Sequence, residues 1–103
     1  MTVRFLDYPR KRTVATEGGR VTLKCNVTGV PKPQVVWKKD GVLVTNGSRF
    51  MVKTDVTATA FTSSQLQIRQ ITKEDIAVYS CISWNRGSVR VVPGRLLISG
   101  ECL

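Results

Sequence analysis

Histidine is absent from the 103 residues, and acidic side chains are few. Without imidazole there is no Ser-His-Asp or Cys-His triad, no His-ligated zinc and no imidazole acid–base chemistry. Among the seven Asp and Glu, Glu74 and Asp75 adjoin. Neighbours in a turn do not face each other across a substrate. Cysteine occurs three times, an odd number and too few for a four-Cys metal site. No stretch approaches 18 consecutive apolar residues, so no helix of this segment would span a membrane. Met1 is followed by Thr2-Val3-Arg4-Phe5-Leu6-Asp7, with no apolar leader. The segment reads as one domain of a larger protein whose targeting information lies elsewhere. No Gly-rich loop opens a helix, and no helix of substance is expected. The sequence therefore implies no catalytic residue, no cofactor and no metal.

What is present is basic and β-branched. Sixteen Lys and Arg leave a net charge of +9. Fifteen valines, eleven threonines and five isoleucines stand against four alanines. Branching at Cβ suits a pleated surface better than a helix, so the bias is all-β. A chain of this length makes one domain and buries roughly 65% of the surface its unfolded form exposes. Turn signals recur at Tyr8-Pro9, Glu17-Gly18-Gly19, Gly29-Val30-Pro31-Lys32-Pro33, Asp40-Gly41, Asn46-Gly47-Ser48 and Pro93-Gly94. Short strands between regular turns predict a sandwich or barrel.

Alternation assigns the faces. Val21, Leu23, Cys25 and Val27 share one parity, with Arg20, Thr22, Lys24 and Asn26 on the other. Val35 pairs with Trp37, Leu66 with Ile68, and Ala77, Tyr79, Cys81 and Ser83 form another inward set. Strands are predicted near residues 2–8, 11–16, 20–28, 34–39, 42–45, 50–54, 60–70, 77–84 and 88–98. Cys25 and Cys81 both fall inward. A bridge between them would close a long loop, worth roughly 4 kcal/mol in the chain-entropy picture. Trp37 lies inward twelve residues after Cys25, and Tyr79 precedes Cys81 by two.

With these residues in place the chain resembles the immunoglobulin superfamily, in its intermediate (I-set) type. The resemblance rests on Glu17-Gly18 before Val21-x-Leu23-x-Cys25, on Gly29-x-Pro31-x-Pro33 leading into Trp37-x-Lys39-Asp40-Gly41, and on Arg49-Phe50. It continues through Leu66-x-Ile68, Asp75-x-Ala77-x-Tyr79-x-Cys81, Asn85-Arg86-Gly87 and Leu96-x-Ile98. It covers residues 2–99. It implies a two-sheet Greek-key sandwich with a Cys25–Cys81 disulfide and a core of Leu23, Trp37, Leu66 and Tyr79. It also implies an Arg49–Asp75 ion pair at one end, with the Tyr79 hydroxyl bonded to backbone near Asp75. Residues 1–99 would form the domain and 100–103 a short tail or linker. Two positions depart from the pattern. Pro93-Gly94 interrupts the last strand and predicts a bulge or kink, and Trp84 stands where the family carries a small or polar residue.

Such domains occur outside cells, in receptors and adhesion proteins, and inside muscle, in sarcomeric proteins. Two of the three asparagines, Asn26 and Asn46, lie in Asn-x-Thr/Ser sequons, which favours the secretory route and a persistent disulfide. Cys102, in the tail, is a candidate for an intermolecular disulfide or an unpaired linker thiol. The expected function is extracellular recognition of a protein partner, either itself or another receptor. The outward parity of the second sheet gathers Val36, Val78, Ile82 and Trp84, with Val89, Val91 and Leu97 joining if the last strand keeps register. The stems of Lys38 and Arg90 are the expected cover for that patch. Arg10, Lys11 and Arg12 form the densest basic run and make heparan sulfate the second candidate partner. The absence of a recognition helix and the commitment of aromatics to the core argue against nucleic acid. The alternative function is a sarcomeric or cytoskeletal scaffold module.

Overall fold

A computed structural model describes residues 2–99; Met1 and the tail carrying Cys102 lie outside them. Nine strands form: β1 (Arg4–Asp7), β2 (Arg12–Ala15), β3 (Arg20–Thr28), β4 (Gln34–Lys39), β5 (Val42–Leu43), β6 (Phe50–Asp55), β7 (Thr62–Arg69), β8 (Ala77–Trp84) and β9 (Val89–Ile98). They make two sheets, ordered β1-β3-β7-β6 and β2-β9-β8-β4-β5. All ladders are antiparallel except β2 on β9. A 3-10 turn, Lys73–Asp75, connects β7 to β8.

The sequence's alternation decides which face each strand buries. Along β8 every inward residue is buried and every outward one half-buried, from Ala77 to Trp84. Leu23, Cys25, Val27, Trp37, Leu66, Ile68, Tyr79, Cys81 and Leu96 meet in one core. Cys25 on β3 is bridged to Cys81 on β8, with Cα atoms 6.5 Å apart, so the disulfide ties the two sheets together. Register sets Trp37 directly beside Cys81. The indole Nε1 donates to Ser64 Oγ at 2.9 Å, which satisfies a donor that would otherwise be costly to bury. Thr62 and Ser83 are buried too, and each donates to a backbone carbonyl, of Pro33 and Gln34.

Turn chemistry follows composition. Asp40 and Gly41 both take positive φ, 46° and 84°, between the paired residues Lys39 and Val42. That is the two-residue Asp-Gly hairpin, whose twist matches that of the flanking strands.

The predicted break at Pro93-Gly94 is absent. β9 runs unbroken from Val89 to Ile98 and pairs with β8 without a register shift. Pro93 is tolerated because β2 joins β9 only from Arg95 onward, so the opposite edge at Pro93 carries no ladder. Gly94 has a different reason. A Cβ there would stand 2.5 Å from the Arg10 carbonyl oxygen. The missing side chain lets residues 8–11 lie against β9 as the chain crosses from β1 in one sheet to β2 in the other, and the Arg95 N–H donates to the Lys11 carbonyl there. Leu97 also differs from expectation: it is buried rather than part of an exposed patch, since β2 lies alongside it with Val14 in register.

Candidate interaction surfaces

Three regions gather the residues singled out above. The first is the end of the sandwich beneath β8. Asp75 is fully buried, and Arg49 grips its carboxylate with both guanidinium nitrogens, at 2.7 and 3.1 Å. The Thr72 N–H donates to the same carboxylate at 2.9 Å, and the Tyr79 hydroxyl donates to the Asp75 carbonyl at 2.7 Å. Burial alone would raise the Asp75 pKa; the Arg49 and Thr72 hydrogen bonds and the nearby positive charge outweigh it and hold the carboxyl below its usual range. Tyr79 is pushed well above the ordinary phenol value, first by burial and then by the Asp75 charge. Arg49 also lies over the Phe50 ring, 5.3 Å from its centroid. This cluster locks the end of the sandwich through paired charges and hydrogen bonds. Among the described residues no group of His, Cys, Asp or Glu is arranged to hold a metal ion.

The second region is the outward face of the five-stranded sheet. Pairing aligns side chains in rows across β4, β8 and β9: Gln34–Trp84–Val89, then Val36–Ile82–Val91, then Lys38–Ser80–Pro93. β5 extends the third row with Leu43 beside Lys38. Val36, Ile82 and Trp84 are half-buried, while Val89, Val91 and Leu43 expose 69%, 54% and 53% of their surface. Directly opposed side chains sit about 5 Å apart, so Val36, Ile82, Trp84, Val89 and Val91 form one connected apolar strip, with Leu43 set apart beside Lys38. Arg90 pairs with the inward Ser83 and therefore belongs to the other side of the pleat, not to the cover of the strip. Leu43 was not legible in advance, because a two-residue strand carries too short a pattern to fix its parity.

The third region is a groove of about 680 Å³ along the crossover from β1 to β2, lined by Asp7, Tyr8, Pro9, Arg10, Arg12, Thr13, Val14, Thr22, Leu23 and Lys24. Arg10 and Arg12 of the basic run line it; Lys11 does not. Thr22 and Lys24 join it because β1 pairs with β3 only at residues 26–28, which leaves that flank of β3 uncovered. No local pattern signals this meeting, since the two segments come together only through the sheets.

The sequon asparagines sit apart from the apolar strip. Asn26 is half-buried on the four-stranded sheet, opposite Ser63 and Asp7. Asn46 is exposed between β5 and β6, and its Oδ1 accepts the Val52 N–H at 2.7 Å. Glycosylation uses the amide nitrogen, so this bond is compatible with a sugar there.

A two-sheet sandwich with a buried bridge, an adjacent indole and a tyrosine bonded at the corner defines an immunoglobulin-type module. The immunoglobulin domain family matches residues 6–85, and the chain belongs to it. Relatives span several kinds of protein. Peroxidasin of Drosophila melanogaster is 34% identical over 97 residues, covering 93% of this chain and 6% of that protein. Muscle M-line assembly protein unc-89 of Caenorhabditis elegans is 36% identical over 77 residues, 75% of this chain and 1% of its own length. Among solved structures, the N-terminal eight Ig domains of Down Syndrome Cell Adhesion Molecule match with a TM-score of 0.86 and 26% identity, over 96% of this chain and 14% of that one. The chain thus spans a small fraction of each relative, and those relatives include both cell-adhesion and muscle proteins.

Proposed function

We propose that this domain is a non-catalytic extracellular recognition module that docks a protein partner through the outward face of β4, β8 and β9. The observation that carries the reading is the connected apolar strip of Val36, Ile82, Trp84, Val89 and Val91 on an otherwise strongly basic domain. Exposed apolar strips of this kind mark contact surfaces, and Trp is a favoured anchor in them. The partner is a different protein with an acidic rim. Two copies of this chain would each bring a charge of +9, and Lys38 borders the strip, so self-pairing would set like charges together.

The test is a screen of the multimerised domain against purified cell-surface ectodomains. Binding to acidic ectodomains is expected. Ile82→Arg should weaken it at least tenfold with an unchanged melting temperature, whereas Lys53→Ala on the other sheet should leave it intact. Binding that survives Ile82→Arg would place recognition elsewhere.

A second reading, a structural module of muscle, is favoured by the similarity to the M-line protein. In that setting the strip would contact neighbouring domains. The two sequons and the Cys25–Cys81 bridge support the extracellular reading instead.

A further inference from the structure

The apolar strip leaves most of the positive charge unexplained. Arg49 and Lys39 turn to Asp75. Arg10, Arg12, Arg20 and Lys24 make no ion pair among the described residues, and all four are exposed. Two ladders even place like charges side by side: Arg12 with Arg95, and Arg20 with Arg69. Such pairs are destabilising. Three of these cations, Arg10, Arg12 and Lys24, line one groove, where an anion would supply the missing countercharge.

We propose that the groove at the β1–β2 crossover binds a sulfated glycosaminoglycan. Arg10, Arg12 and Lys24 supply three cations along it, Thr22 a hydroxyl and Tyr8 an exposed ring. Arg20 continues the line along β3. Residues two apart on one face of a strand are about 6.8 Å apart, so Arg20, Thr22 and Lys24 span about 14 Å, an extended array rather than a pocket for one small ion. The backbone of the crossover is fixed, because the Arg10 carbonyl packs against Gly94 and the Lys11 carbonyl takes the Arg95 N–H. The cations therefore stand on a held segment. The flank of β3 that β1 leaves uncovered adds unladdered backbone groups to the wall. Asp7 is the lone carboxylate of the lining, against three cations. Nucleic acid is disfavoured because Tyr8 is the lone aromatic ring of the lining, too few for successive base stacking.

This inference stands beside the protein-docking reading and does not rest on it, and its test uses no protein partner. The probe is a size-defined heparin oligosaccharide, titrated calorimetrically at matched salt. The triple variant Arg10→Ala/Arg12→Ala/Lys24→Ala should lose at least tenfold in affinity. A control that removes equal charge away from the groove, from β4 and the β8–β9 hairpin, Lys38→Ala/Arg86→Ala/Arg90→Ala, should stay within about threefold of the parent. All the substituted groove side chains are exposed, and circular dichroism checks that each variant folds. Equal losses in both triples would mean that net charge alone attracts heparin and would overturn the assignment. So would binding of polyglutamate or a single-stranded oligonucleotide as tight as that of heparin.

Discussion

Replacing Cys25 and Cys81 together by alanine should lower stability by about 4 kcal/mol. The bridge spans 56 positions, and opening it returns loop-closure freedom to the unfolded chain. For a domain of this size that corresponds to a fall in melting temperature of about 15–30 °C. The location makes the loss cooperative. The bridge joins β3, central in one sheet, to β8, central in the other, and Trp37 rests beside Cys81. Differential scanning calorimetry of the double variant measures it. A shift of only a few degrees would mean that the sheets are held by apolar packing without need of the covalent tie.

The second large effect comes from Asp75. Asp75→Ala should cost about 3 kcal/mol, because Arg49 loses both of its contacts and the Thr72 N–H its acceptor. The same group sets an acid limit. Its folded pKa lies below the unfolded value, near 3.9. The folded state therefore holds its proton less tightly than the unfolded state. The stabilisation is complete above the unfolded pKa and is lost as pH falls through the folded one. Urea melts at stepped pH should show wild-type stability declining below about pH 4. Asp75→Asn should be less stable at pH 7 and should lose less on acidification, so the two curves converge. A constant gap between them from pH 7 to pH 2 would remove Asp75 from the acid response.

Much of this was legible from local pattern. β3, β4 and β8 fall at 20–28, 34–39 and 77–84, as their alternation predicts, because each has one face in the core and one outside it. The pairings at the core could be written from inward parity joined to the family resemblance. Local pattern failed where the deciding contact was distant in sequence. Pro93-Gly94 reads as a breaker by composition, yet the strand continues because its neighbours there are an unladdered edge and the Arg10 carbonyl. Leu97 has outward parity but is buried. The groove joins the segment around Arg10 and Arg12 to residues 22–24 only because the chain changes sheets between Asp7 and Arg12. A local window along the sequence contains none of these three facts.

The most direct check is peptide mapping, without reductant, of the native protein isolated from its tissue. A Cys25–Cys81 linked peptide together with glycan mass on Asn46 is the expected result. Free thiols at both cysteines and bare asparagines at 26 and 46 would contradict an extracellular recognition role and leave the muscle-scaffold reading in its place.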